Sequence, residues 1–128
     1  MDKKVAYIES IKGTNYRNYD FFQLVFSKKI NFITGKNGEG KTNILDSIYF
    51  SCFTKSYFNS SDNLTIKNGT DFLRMETFAK SDGLEYKIVL KSIRGKKKEF
   101  ELNGDKVEKF SNWIGKLPCV LIAPNDIE

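Results

Sequence analysis

The segment Gly35-Lys36-Asn37-Gly38-Glu39-Gly40-Lys41-Thr42 constrains this chain more than any other, because it fits the pattern G-x-x-x-x-G-K-[ST]. Each position has a physical task. Glycines open backbone angles closed to other residues, so successive N–H groups can turn inward toward phosphate oxygens. Lys41 brings a compact positive charge to the outer phosphates of a nucleotide. The Thr42 hydroxyl stands where a Mg²⁺ ligand is needed. A helix after the loop would add the positive end of its dipole. The context agrees: residues 30–34 read as a strand running into Gly35, and Ile44, Leu45, Ile48, Tyr49 and Cys52 mark one apolar face of a helix over residues 41–53. Strand, loop and helix in that order predict an ATP-binding unit that works with Mg²⁺.

The chain has 128 residues, enough for one compact domain or a slice of a larger one. Around the phosphate loop the pattern is of strands. Residues 5–11 are β-rich and followed by a turn-like Lys12-Gly13-Thr14-Asn15, and residues 22–26 form a second strand. Residues 55–63 are polar and read as a loop. Strands over 72–79 and 84–91 flank Ser81-Asp82-Gly83, a hairpin signal, and strands over 98–102 and 106–108 flank Asn103-Gly104-Asp105, another. Residues 110–114 suit a short helix and the apolar run 117–123, closed by Pro124, a buried strand. One long helix cannot cover both faces of a doubly wound sheet. The expected fold is therefore α/β with α+β character: antiparallel strands around one strand–loop–helix unit, with residues 1–128 as part of a larger domain.

Composition removes several classes of function. With 40% apolar and 29% charged residues the chain is neither disordered nor collagen-like. It has no histidine and two cysteines, which leaves no Cys/His zinc site and no His-dependent catalytic triad. No apolar run has the length of a membrane span, and Met1-Asp2-Lys3-Lys4 has no apolar stretch behind it, so a cytoplasmic protein without membrane partners is expected. Twenty-one basic against 16 acidic residues, a net charge of +5, tilt it toward anionic partners. Cys52 and Cys119 lie far apart and read as reduced and buried. The run Arg94-Gly95-Lys96-Lys97-Lys98 reads first as a solvated turn and second as a phosphate-contacting hairpin. Tyr57 and Phe58 read as loop packing before base stacking, and Trp113 with Phe110 as core.

Hydrolysis needs more than a phosphate loop: a second carboxylate that organises Mg²⁺ and a group that positions water. Asp126 is cut off from Leu121-Ile122-Ala123 by Pro124-Asn125, which break the strand, and Asp46 sits within the phosphate-loop helix. Neither fits. No catalytic residue is assigned, and binding with little turnover is expected.

Asn15-Tyr16-Arg17-Asn18-Tyr19, a phosphate loop reading G-x-N-G-x-G-K-T-N, and Leu45-Asp46-Ser47-Ile48-Tyr49 together resemble the N-terminal portion of the RecF family. These are bacterial DNA replication and repair proteins with an ABC/SMC-type ATPase head. Thr54-Lys55-Ser56 with Ser60-Ser61-Asp62, Leu102-Asn103-Gly104, and the ending Val120-Leu121-Ile122-Ala123-Pro124-Asn125-Asp126 extend the resemblance over nearly the whole chain. The resemblance implies the first lobe of a P-loop NTPase head. It implies Gly35, Lys36, Asn37, Gly38, Glu39, Gly40, Lys41, Thr42 and Asn43 as nucleotide contacts, Thr42 as metal ligand and Arg17 near the phosphates. It further implies ATP and Mg²⁺ as cofactors, an ATP-dependent homodimer, single- and double-stranded DNA as partners, RecO and RecR type mediators, RecA loading and the SOS response. Asn125-Asp126 would lie where ABC proteins sense the γ-phosphate, although the family places an acidic residue where Asn125 stands. Phe58-Asn59 stand where the family often carries a basic residue, so no DNA contact is carried over there. The Walker B carboxylates, signature motif and helical arm of the family are expected to lie outside this stretch.

Two other readings share the phosphate loop. A small-molecule kinase would need an arginine-bearing lid after the helix, where this chain has hairpins. The ATP-binding subunit of a transporter would carry a glutamine in its closing loop, where this chain has Asn125-Asp126.

Overall fold

The computed structural model describes residues 6–28, 31, 39–54 and 64–108, and of residues 39–41 the backbone alone. Those residues form β1 (Ala6–Tyr16), β2 (Tyr19–Val25), α1 (Glu39–Phe53), β3 (Phe72–Ser81), β4 (Leu84–Ile93), β5 (Glu99–Leu102) and β6 (Asp105–Lys106). The strands make one sheet in the order β2-β1-β3-β4-β5-β6, antiparallel throughout. Four of the five pairs join strands that follow each other along the chain; the fifth, β1–β3, skips β2, and α1 falls between β1–β2 and β3. A helix is thus inserted into an antiparallel sheet, the mixed class that the sequence predicts.

Two hairpins form where the turn residues demand them. Asp82 (φ 54°) and Gly83 (φ 81°) connect β3 to β4, and Asn103 (φ 52°) and Gly104 (φ 89°) connect β5 to β6. Two-residue loops with positive φ at both positions match the twist of the flanking strands, and Asp-Gly and Asn-Gly accept that geometry at little cost.

The expected turn at residues 12–15 is not a turn. β1 continues to Tyr16, paired with β2 on one side and β3 on the other. Gly13 is needed for space. It faces Phe22 across the β1–β2 ladder, and a Cβ there would fall 2.2 Å from the Phe22 ring. The ring lies over the bare backbone and packs against Tyr16 and Tyr19 at 5.7 and 5.5 Å between centroids. A glycine inside a strand often marks such a close approach.

Alternation along the strands places Ile11, Leu73, Met75, Ala79, Ile88, Leu90 and Phe100 in one core, with Phe50 and Cys52 of α1 against them. The Thr77 hydroxyl donates to Ser51 Oγ at 2.9 Å, tying β3 to the helix. Cys52 is buried and in no disulfide, as expected.

α1 starts two residues before the expected position and ends where expected. Its buried face differs from the expected one. Leu45 is 42% exposed, and Ile44, Ile48 and Tyr49 are half-buried. The stripe turned most deeply inward is instead Asn43, Asp46, Ser47, Phe50 and Ser51. Its polar groups are satisfied locally: Ser47 Oγ donates to Ile44 O at 2.5 Å and Ser51 Oγ to Ser47 O at 2.9 Å. Apolar periodicity selects one face of a helix, and internal hydrogen bonds let the other be the deeper one.

The helix closes on Thr54, whose φ of 62° lies in the left-handed region and whose N–H donates to Phe50 O at 2.8 Å. The Lys98 ammonium donates to Thr54 O and lies 5.7 Å from the centre of the Phe50 ring. Arg94, at the other end of the basic run, donates from Nε to Thr70 O at 3.2 Å. The run is therefore a partly structural turn: Lys96 and Lys97 are exposed, whereas Lys98 is committed to the helix C-terminus, where a cation complements the dipole.

The expected strand at 30–34 apart from Asn31, and the loop at 55–63, helix at 110–114 and strand at 117–123, with Tyr57, Phe58, Trp113, Cys119, Asn125 and Asp126, lie outside the described residues. Among the described residues no helix is long and apolar enough to cross a membrane.

Candidate functional site

β1 and β2 are joined by Arg17 and Asn18, with Tyr16 facing Tyr19 across the turn. The turn is held from one side by residues 64–67. Arg17 N–H donates to Thr65 O at 2.8 Å, Lys67 N–H donates to Asn15 O at 2.9 Å, and Tyr16 bridges to Ile66. Asn15 and Arg17 take positive φ (55° and 52°), which lets β1 leave β3 and meet this segment.

From that fixed backbone, Arg17 reaches α1. Its Nη2 stands 2.5 Å from Asp46 Oδ2. The Asp46 side chain is fully buried and that of Arg17 is 16% exposed. Tyr16, also fully buried, donates its hydroxyl to Asn43 O at 2.9 Å and lies 3.5 Å from the same Asp46 oxygen. Asn43 Nδ2 donates to Asn18 Oδ1 at 3.2 Å. The Arg17 guanidinium also sits 5.7 Å from the centre of the Tyr16 ring, within cation–π range. Burial first, and then the Asp46 carboxylate, push the Tyr16 phenol far above its ordinary range, against a smaller opposing effect of Arg17. Burial alone would lower Arg17, but Tyr16 and Asp46 outweigh it and raise the guanidinium above its usual value. The seam is thus a neutral phenol, a lasting cation and a buried carboxylate, locked together.

Beside the seam opens a cleft of about 830 Å³, lined by Arg17 and Asn18 of the turn, Thr42 and Asn43 of α1, and Ile66 and Lys67 opposite. This volume is in the range of small-molecule sites. Thr42 is exposed on the first helical turn. A cation, a free hydroxyl and a helix N-terminus around one cleft suit an anionic ligand. Among the described residues no group of three or more Cys, Asp or Glu gathers to hold a metal by itself. The donor set fits a Mg²⁺ carried by phosphates and completed by one hydroxyl.

Gly35, Lys36, Asn37 and Gly38 lie outside the described residues, and Glu39, Gly40 and Lys41 form the first turn of α1 by their backbone. Arg17 and Thr42 come together on the cleft. Asn43 lines it too, while its amide is spent on Asn18. Sequence reasoning assigned no role to Tyr16, Asn18, Asp46 or Lys67. A signal for Asp46 was present: it is four residues after Thr42, hence on the same helix face.

Residues 10–126 match the family described as AAA domain. The DNA replication and repair protein RecF of Cytophaga hutchinsonii is 38% identical over 122 residues, which cover 95% of this chain and 32% of that protein. That of Flavobacterium johnsoniae is 40% identical over 112 residues, covering 88% and 31%. The chain thus spans about a third of the length of these curated relatives. A solved structure of the recombination mediator protein RecF with ATP, from the RecFOR pathway, superimposes with a TM-score of 0.89 at 26% identity, over 98% of this chain and 35% of that one. A structure described for ATP-driven dimerization and DNA stimulated activation of SMC ATPases gives 0.72 at 23% identity, over 94% and 83%, a likeness of fold alone. The architecture is that of a P-loop NTPase head of the kind found in RecF and SMC ATPases, and the chain belongs to the AAA domain family, as a RecF-type member of it.

Proposed function

We propose that this chain is the ATP-binding part of a RecF-type DNA replication and repair protein, and that α1 and the β1–β2 turn together hold the phosphates of ATP. The observation that carries the reading is the meeting of Arg17 and Thr42 on one cleft at the N-terminal end of α1. They are 25 residues apart in sequence and belong to different elements. The sequence pattern assigns the charge of Lys41 and the amides from Gly35 to Gly40 to the phosphate tail. Thr42 would hold Mg²⁺ through its hydroxyl, and the ion would supply positive charge against the phosphates. Arg17, held in place before ligand arrives, faces the phosphates with little further ordering.

The wider role follows the relatives. The protein acts on single- and double-stranded DNA, pairs two copies in an ATP-dependent way and works with RecO and RecR type mediators in the cytoplasm. The kinase and transporter alternatives are not favoured: hairpins occupy the place of a lid, and the curated relatives are RecF proteins.

Calorimetry with Mg-ATP tests the reading. Lys41→Ala is expected to weaken binding by at least about tenfold, the scale of one lost charge–phosphate contact. Equal affinity in the two proteins would remove the phosphate loop from its role.

A further inference from the structure

We propose that Asp46 is a positioning residue of the nucleotide site, whose buried carboxylate aims the Arg17 guanidinium at the phosphate cleft. The proposal rests on the reading of that cleft as the ATP site and extends it to a residue that touches no ligand. Asp46 is fully buried, its Oδ2 is 2.5 Å from Arg17 Nη2, and it is one helical turn from Thr42 on the same face of α1. A buried ion pair is a weak stabiliser compared with apolar packing of the same volume. What this pair supplies is direction. Arginine has a long side chain with much rotamer freedom, and here that freedom is removed from three sides. The backbone N–H is tied to Thr65, the Tyr16 ring lies 5.7 Å from the guanidinium carbon, and the carboxylate holds one terminal nitrogen. Tyr16 in turn bonds both Asn43 O and the Asp46 carboxylate, so the α1 register and the aim of Arg17 are set by one cluster. Arg17 still lines the cleft, with its side chain 16% exposed. It is a cation ordered before the ligand arrives, and ordering done in advance raises affinity.

The test is a double-mutant cycle read by Mg-ATP calorimetry on the full chain: wild type, Asp46→Asn, Arg17→Ala and the double variant, with Lys41→Ala as a control. Asp46→Asn is expected to weaken binding by about tenfold beside an intact Arg17, and by about twofold or less when Arg17 is already alanine. Equal losses in both backgrounds would show that Asp46 acts independently of Arg17, and overturn the proposal. So would unchanged affinity in Asp46→Asn. A second measurement needs no variant: the Arg17 Nε–Hε NMR signal of the wild type is expected to shift on Mg-ATP addition, and a signal unmoved at saturation overturns the proposal. Wild type that fails to bind Mg-ATP, or binds no better than Lys41→Ala, overturns the ATP-site reading and this inference with it. Lys41-dependent binding indifferent to Asp46 overturns the inference alone.

Discussion

The β3–β4 half of the sheet and the seam between α1 and the β1–β2 turn are both buried, yet they are built from opposite materials. The first contributes Leu73, Met75, Ala79, Ile88 and Leu90, side chains that any well-packed apolar set could replace. The second contributes Tyr16, Asn43 and Asp46, with the nearly buried Arg17, each needed for a specific bond. Apolar area stabilises without direction, whereas a buried charge network fixes orientation at a desolvation cost. The difference separates what keeps this chain folded from what shapes its cleft.

That division can be attacked by mutation. The largest expected effect is in the sheet: Leu90→Ala, at a fully buried side chain of β4, should lower unfolding stability by about 2–5 kcal/mol. ATP affinity of the folded fraction should stay unchanged, as read by denaturant titration and calorimetry. A matching loss of affinity would join the two regions into one. Next comes the seam: Tyr16→Phe removes the hydroxyl that serves Asn43 O and Asp46, and should cost about 2 kcal/mol. Here ATP affinity should fall as well, and unchanged affinity would strip the seam of its role in the cleft. Gly13→Ala should cost about 1–2 kcal/mol through overpacking, since the new methyl meets the Phe22 ring. Phe22→Leu in that background should restore part of the loss, and no recovery would locate the strain elsewhere.

The smallest effect belongs to the outer face of the sheet. Burial works against ionised Glu76, but the hydrogen bond and charge of Lys87, with Arg74 and Lys12, prevail and hold its carboxyl below the usual range. A depressed folded-state value stabilises fully above the unfolded value, about 4.3, and the contribution fades as pH falls through the folded value. Glu76→Gln should lower stability slightly at neutral pH, where the contribution is fully present, and converge with wild type as pH falls, which flattens the acid side of the profile. An unchanged acid limb would show that these surface cations do not cooperate.

The sequence reading succeeded where local chemistry decides. Asp82-Gly83 and Asn103-Gly104 announce their turns because few other residues accept positive φ. The helix was legible from its period and from the phosphate loop before it, which also pointed to Thr42. It failed where a distant residue decides. Gly13 looks like a turn residue until Phe22 is known to lie across from it. Asp46 looks like a misplaced catalytic carboxylate until Arg17, 29 residues earlier, is seen against it. The deep face of α1 was missed because its serines bond their own backbone, a compensation invisible to hydropathy.

Lys98 gives the helix a second anchorage. The β1–β2 turn grips α1 near its beginning, and the Lys98 ammonium, just ahead of β5, grips the Thr54 carbonyl immediately past its end. A rod strapped at both ends to one plate cannot slide or swing on its own. Any push that a ligand delivers to the head of α1 is handed to the plate as a whole, so this part of the molecule answers as a single lever.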